Sequence, residues 1–179
     1  FRFEITDRNS KILNVKVYDV PSSKLLTVRT TDSNSFNGWI EKTKDILRIP
    51  PKPESKRTGY GYIDIHADNN GFNHLFYYPT IFAKDGIQLT KGDWEVTGNG
   101  IVGYEYETDT VFFTANEIGT MSQHLYGTSF ADPATIGALQ VIQNPSDKYD
   151  FFDFELSSSG RYAVSKKLGP GLPVKVAGP

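Results

Sequence analysis

The chain has 179 residues, a formal net charge of −2, 38% hydrophobic and 22% charged residues, and no cysteine. That is one domain's worth of foldable chain, and it excludes a disordered or collagen-like polymer, a disulfide scaffold, a thiolate zinc site and a cysteine nucleophile. The mixed, slightly acidic charge argues against a nucleic-acid surface, and no run of about 18 apolar residues is present to cross a membrane as a helix.

The opening Phe1-Arg2-Phe3-Glu4-Ile5 has no apolar core and does not read as a signal peptide. Beyond it, 10 Tyr and 12 Phe against 1 Met, with 16 Gly and 10 Pro spread along the chain, predict strands punctuated by turns. Val15 and Val17 alternate with Lys16 and Tyr18, which predicts a strand over 13–20. A Pro-rich insertion follows at 49–57, then strands at 61–67 and 72–79 around the turn Asp68-Asn69-Asn70-Gly71. Further strands are expected at 86–90, 100–107, 110–116, 123–129 and 136–142, with a turn at Gly98-Asn99-Gly100. Tyr104 and Tyr106 alternate with Glu105 and Glu107 in one of these. The segment 134–142 is the best helix candidate, but it is short and rich in β-branched residues. Phe152, Phe154 and Leu156 alternate with Asp153 and Glu155 over 151–156, and strands at 161–167 and 173–177 complete an all-antiparallel reading.

A repeat organises these elements. Phe72-Asn73-His74-Leu75-Phe76 resembles Ser122-Gln123-His124-Leu125-Tyr126 at an offset of 50 residues. Aromatic triplets open successive units: Gly38-Trp39-Ile40, Asp93-Trp94-Glu95 and Asp150-Phe151-Phe152. Several short strands per unit at this period describe a β-propeller blade. The fold class is therefore all-β, part of a β-propeller with two complete four-stranded antiparallel blades and partial blades at both ends. The expected boundaries are 1–35, the end of a preceding blade; 36–93, a blade with the Pro-rich insertion; 94–143, a blade; and 144–179, the start of a following one. A stack cut at both ends exposes two apolar faces and is expected to self-associate.

Three segments carry a family resemblance: Leu89-Thr90-Lys91-Gly92-Asp93-Trp94-Glu95-Val96, Phe112-Phe113-Thr114-Ala115-Asn116-Glu117 followed by His124-Leu125-Tyr126, and Gly169-Pro170-Gly171-Leu172-Pro173. In this order they resemble the propeller domain of the dipeptidyl peptidase IV family, and within it the fungal membrane-bound dipeptidyl aminopeptidases. The resemblance implies a serine peptidase that removes N-terminal X-Pro and X-Ala dipeptides. Its catalytic triad lies in an α/β-hydrolase domain outside this chain, and the propeller gates and positions the peptide substrate. It further implies a parent in the secretory pathway or vacuole on a single N-terminal membrane helix, with that hydrolase domain as partner and room for a homodimer. The alternative it leaves is a catalytically inactive relative acting as an accessory or protein-binding propeller. The acidic residues that hold the substrate amine in the family have no counterpart here, so the substrate-binding residues are unknown.

No residue of this chain is expected to be catalytic, to bind a cofactor or to hold a metal. Gly127-Thr128-Ser129-Phe130-Ala131-Asp132-Pro133 resembles the serine motif of subtilases, but the matching Asp and His motifs are absent and Ser129 falls at the end of a repeat strand. His74 and His124 are repeat equivalents, which predicts structural roles. His66 and Asp68 are too sparse for zinc, which needs three or four spaced ligands. Gly98-Asn99-Gly100 lacks the Lys-Ser/Thr and following helix of a phosphate loop, and Asn144-Pro145-Ser146 is no glycosylation site because Pro occupies its middle. Trp39 and Trp94 are expected in cores, and Glu41-Lys42-Thr43-Lys44 in a solvated loop.

Overall fold

The structure, a computed structural model, describes residues 1–36, 38, 40, 46–131, 136–142, 149–169, 171 and 173–178, and of residues 98 and 99 the backbone alone. Trp39, the 41–44 stretch and Asn144-Pro145-Ser146 lie outside the described residues. Fourteen strands are found among them: β1 Arg2–Thr6, β2 Ile12–Asp19, β3 Lys24–Asp32, β4 Leu47–Ile49, β5 Gly61–Ala67, β6 Asn73–Tyr78, β7 Ile87–Gln88, β8 Val96–Glu105, β9 Thr110–Ala115, β10 His124–Ser129, β11 Gln140–Val141, β12 Phe151–Leu156, β13 Ala163–Gly169 and β14 Val174–Gly178. The helical elements among the described residues are two 3-10 turns, Ser33–Ser35 and Pro53–Ser55.

The strands form four sheets in chain order, β1-β2-β3, β4-β5-β6-β7, β8-β9-β10-β11 and β12-β13-β14. Pairing is antiparallel from β1 to β3, between β4 and β5, from β8 to β11 and from β12 to β14. Two four-stranded sheets flanked by three-stranded ones is the arrangement the repeat predicts. The turn from β5 to β6 shows how local chemistry sets a register. Asp68 Oδ1 accepts from the N–H groups of Asn70 and Phe72 at 2.8 and 3.2 Å. Gly71 takes φ +92°, a left-handed value that glycine adopts without a Cβ penalty.

The chain divides into two compact units, Phe1–Phe72 with Phe76–Ile87, and Asn73–Leu75 with Gln88–Pro179. In the first, Val15, Val17 and Val28 pack together from β2 and β3. Ile49, Ile63, Ile65 and Tyr78 are also buried there. In the second, Phe112, Leu125 and Phe154 form a cluster against which Val102, Phe152 and Leu156 pack. Burying side chains of this size contributes about 1.5–3 kcal/mol each.

Several expectations need correction. Gly98-Asn99-Gly100 is not a turn: it lies inside β8, where the register against β9 shifts between Val96 and Ile101. Gly100 takes φ +70°, so the glycine supplies a bulge within a strand. The strand expected at 100–107 ends at Glu105, because the chain turns there and Asp109 takes φ 51°. The strand expected over 136–142 is two residues long, following a turn with Gly137 at φ +89°. Strands β1, β3 and β4 were not expected. The Pro-rich segment 49–57 gives its first residue to β4, then closes with paired backbone at Lys52 and Arg57.

Candidate functional site

Among the described residues, a dense polar cluster lies in the first unit, where β1 and β3 meet β5. Asp64 stands in the otherwise apolar run Tyr62-Ile63-Asp64-Ile65, and its side chain is 1% exposed. Its Oδ2 accepts from Arg2 Nη2 at 2.7 Å and from Arg29 Nη2 at 2.8 Å, while Oδ1 accepts from the Ile65 N–H at 2.9 Å. Arg2 also donates to Glu4 Oε1 at 2.9 Å. Arg29 Nη1 donates to the Tyr78 hydroxyl at 2.5 Å, and that hydroxyl lies 2.9 Å from His66 Nε2. Aromatic faces enclose the charges: Arg2 lies over the Tyr62 ring, Arg29 over Tyr78, Tyr62 stacks on Tyr78, and His66 stacks on Phe76.

Two arginines and two carboxylates balance within this cluster when His66 is neutral. Burial, and next the charge of Arg29, lower the His66 pKa to about 4. Burial works against the charge of Arg29, but Asp64 and Tyr78 beside it hold its pKa above the ordinary value. Burial raises the pKa values of both Tyr62 and Tyr78.

His66 and Asp68, weighed together as a metal pair in the sequence, have separate partners. His66 Nδ1 meets the Ala67 carbonyl at 3.0 Å, and Asp68 caps the β5–β6 turn. Arg2, Arg29, Asp64 and Tyr78 were not singled out by the sequence. The available signal was Asp64 itself, a lone carboxylate in an apolar strand, which needs a cationic partner when buried.

His74 and His124 occupy the third strands of the two four-stranded sheets, and both are fully buried. His74 Nδ1 lies 3.0 Å from Thr90 Oγ1 and Nε2 lies 3.1 Å from the Gly92 carbonyl. Its ring meets Trp94 edge to face at 4.8 Å, and His124 lies 5.8 Å from Phe152. The repeat extends to the residue before each histidine. The Asn73 amide donates to Glu95 at 3.3 Å, and the Gln123 amide donates to the Phe152 carbonyl at 2.7 Å. Both bonds reach the third residue of the next opening triplet, Asp93-Trp94-Glu95 or Asp150-Phe151-Phe152. Trp94 is buried, in keeping with a core role.

Ser129 ends β10. Its Oγ donates to the Thr108 carbonyl at 2.8 Å and accepts from the Ala131 N–H at 3.3 Å, so the hydroxyl ties two loops together. A serine nucleophile needs its proton directed at a base. Incubation with a fluorophosphonate probe is expected to leave Ser129 unlabelled. Labelling that disappears in Ser129→Ala would contradict this geometry.

Comparison with known proteins bears on this arrangement. Residues 1–174 match the family described as the dipeptidyl peptidase IV (DPP IV) N-terminal region. The chain is 79% identical, over all of its 179 residues, to dipeptidyl aminopeptidase A of Saccharomyces cerevisiae, and covers 19% of that protein. It is 31% identical to a probable dipeptidyl-aminopeptidase B of Chaetomium globosum, over 94% of this chain and 18% of the relative. The chain thus spans about a fifth of the length of the curated relatives it matches. The crystal structure of Porphyromonas gingivalis dipeptidyl peptidase 4 aligns with 92% of this chain and 20% of its own, at TM-score 0.58 and 15% identity, which establishes a shared fold. With its small antiparallel sheets in chain order and a family match over residues 1–174, the chain belongs to the dipeptidyl peptidase IV N-terminal region family.

Proposed function

We propose that residues 1–179 are a propeller segment of a serine-type dipeptidyl aminopeptidase that removes N-terminal X-Pro and X-Ala dipeptides. The segment encloses and positions the peptide, while a hydrolase domain outside this chain performs the chemistry. The observation that carries this reading is the 79% identity to dipeptidyl aminopeptidase A over the whole chain. In this reading the four sheets belong to successive blades with boundaries near 36, 94 and 144, and no residue of the segment is catalytic. The bonded hydroxyl of Ser129 and the internal partners of His66 and His74 support that assignment. The reading includes a parent held in the secretory pathway or vacuole by one N-terminal membrane helix, and a homodimer as its assembly.

Enclosure and orientation act only on a reaction that another group performs. Residues 1–179 alone are therefore expected to hydrolyse Ala-Pro and Gly-Pro anilides no faster than buffer. The full-length protein should turn them over and lose activity to serine-directed reagents. Turnover by the segment, or a folded and inactive full-length protein, would overturn the proposal, and the latter would favour a binding propeller.

A further inference from the structure

The direction of the hydrogen bonds around His66 is fixed by chemistry. A backbone carbonyl only accepts, so the 3.0 Å contact between Nδ1 and Ala67 O places the ring proton on Nδ1. Nε2 is then a bare acceptor, and the Tyr78 hydroxyl 2.9 Å away donates to it. The same hydroxyl oxygen accepts from Arg29, which also holds Asp64 together with Arg2. The relay therefore runs one way, from Arg29 through Tyr78 to the His66 ring, and its last step, from the Tyr78 hydroxyl to Nε2, has its acceptor only while that ring is neutral.

A proton added at Nε2 takes away the acceptor of the Tyr78 hydroxyl. It also sets a third cation beside Arg2 and Arg29. The charged and titratable groups packed around this junction are Arg2 and Glu4 on β1, Arg29 on β3, Tyr62 and Asp64 on β5, and Tyr78 on β6. Their two carboxylates already match the two guanidiniums, so the added charge is uncompensated. The ring stacks on Phe76 with centroids 3.8 Å apart, which holds it in line with Tyr78.

We propose that this relay is an acid-sensitive latch: with His66 neutral it fastens β1 and β3 to β5, and protonation of His66 loosens that junction. The sign follows from linkage. A histidine pKa lowered from 6.5 to about 4 means that the opened state binds the proton more readily, so closure weakens as pH falls from 6.5 towards 4. The full effect is about 300-fold in the closing equilibrium, the 2.5-unit separation written as a ratio.

The test uses the full-length protein that carries residues 1–179. Imidazole C2–H exchange, read by mass spectrometry on the His66 peptide, gives its protonation midpoint. Amide exchange of peptides from β3 and β5, corrected for intrinsic rate, gives the strength of the junction at each pH. The expected midpoint is near 4, with protection of β3 and β5 falling up to about 300-fold on acidification in the wild type. His66→Gln accepts from Tyr78 and does not titrate, so this loss should be absent. A midpoint at 6 or above, or the same acid response in both proteins, overturns the latch. Should His66→Gln not fold, Tyr78→Phe decides: without the hydroxyl the neutral ring loses its donor and the midpoint should rise, while burial and the charge of Arg29 still hold it below 6.5, and an unchanged midpoint overturns the proposal.

Discussion

Replacing Asp64 by alanine is expected to destabilise the first unit by about 3–5 kcal/mol, the loss typical of removing one partner from a buried ion pair. The carboxylate side chain is 1% exposed and the two arginine side chains are each 11% exposed, so water reaches little of the cluster. Without the carboxylate, two guanidiniums face each other across the junction with one shared acceptor gone. Arg2 keeps Glu4 and Arg29 keeps Tyr78, which limits the loss. Asp64→Asn keeps the shape and the bond from the Ile65 N–H, so it isolates the charge. The triple replacement Arg2→Met, Arg29→Met, Asp64→Leu should recover most of the stability, since a well-packed apolar substitute is often no worse than a buried ion cluster. Urea unfolding followed by amide exchange in β1, β3 and β5 checks the series. A loss below about 1 kcal/mol for Asp64→Ala would mean that the charges stay solvated, as at a surface ion pair.

This cluster marks the limit of what the sequence displays. Strands such as β2 and β12 were legible because one face is more buried than the other, so side-chain chemistry alternates with period two, whereas β5 and β9, buried on both faces, were legible as short apolar runs placed by the repeat. The equivalence of His74 and His124 was legible because a repeated structural unit repeats its residues. Strand β3 was not, because its bulge opposite Val15 and Lys16 and the adjacent exposed Leu25 and Leu26 break the alternation. Strand β4 has three residues, too few to show a period. The Gly98-Asn99-Gly100 segment shows that glycines serve a bulge as well as a turn, and the two uses look alike in a sequence. Arg2, Arg29, Asp64 and Tyr78 come from four strands. Their meeting depends on register and on which sheet faces which, and neither is written in any local pattern.

Trp94→Ala is expected to cost about 3–5 kcal/mol, the usual range for truncating a buried large aromatic. Trp94 lies between β7, which ends at Gln88, and β8, and its side chain fills the space where several rings converge. His74 meets it edge to face, while Phe113 and Tyr126 lie nearly parallel to it with centroids 6.3 and 6.5 Å away. The indole also lies on Gly92, whose φ is +142°, and a Cβ at that position would come within 2.3 Å of Nε1. The loop 90–94 is therefore held from two sides, by the ring above Gly92 and by the His74 bond to the Gly92 carbonyl. Truncating the indole removes one of these and leaves a cavity beside the other. Gly92→Ala should be severely destabilising in the wild type and milder in the Trp94→Ala background, where the clash is gone and only the backbone strain remains. A double-mutant cycle measures that difference as a coupling energy of about 1–3 kcal/mol. A ligand-binding role for Trp94 predicts another pattern: unfolding midpoints near the wild type, additive energies with Gly92, and a raised KM for the proposed reaction of the full-length protein. Stability kept to within about 1 kcal/mol in Trp94→Ala would exclude the core role, because a buried indole with these neighbours cannot be removed at so small a loss.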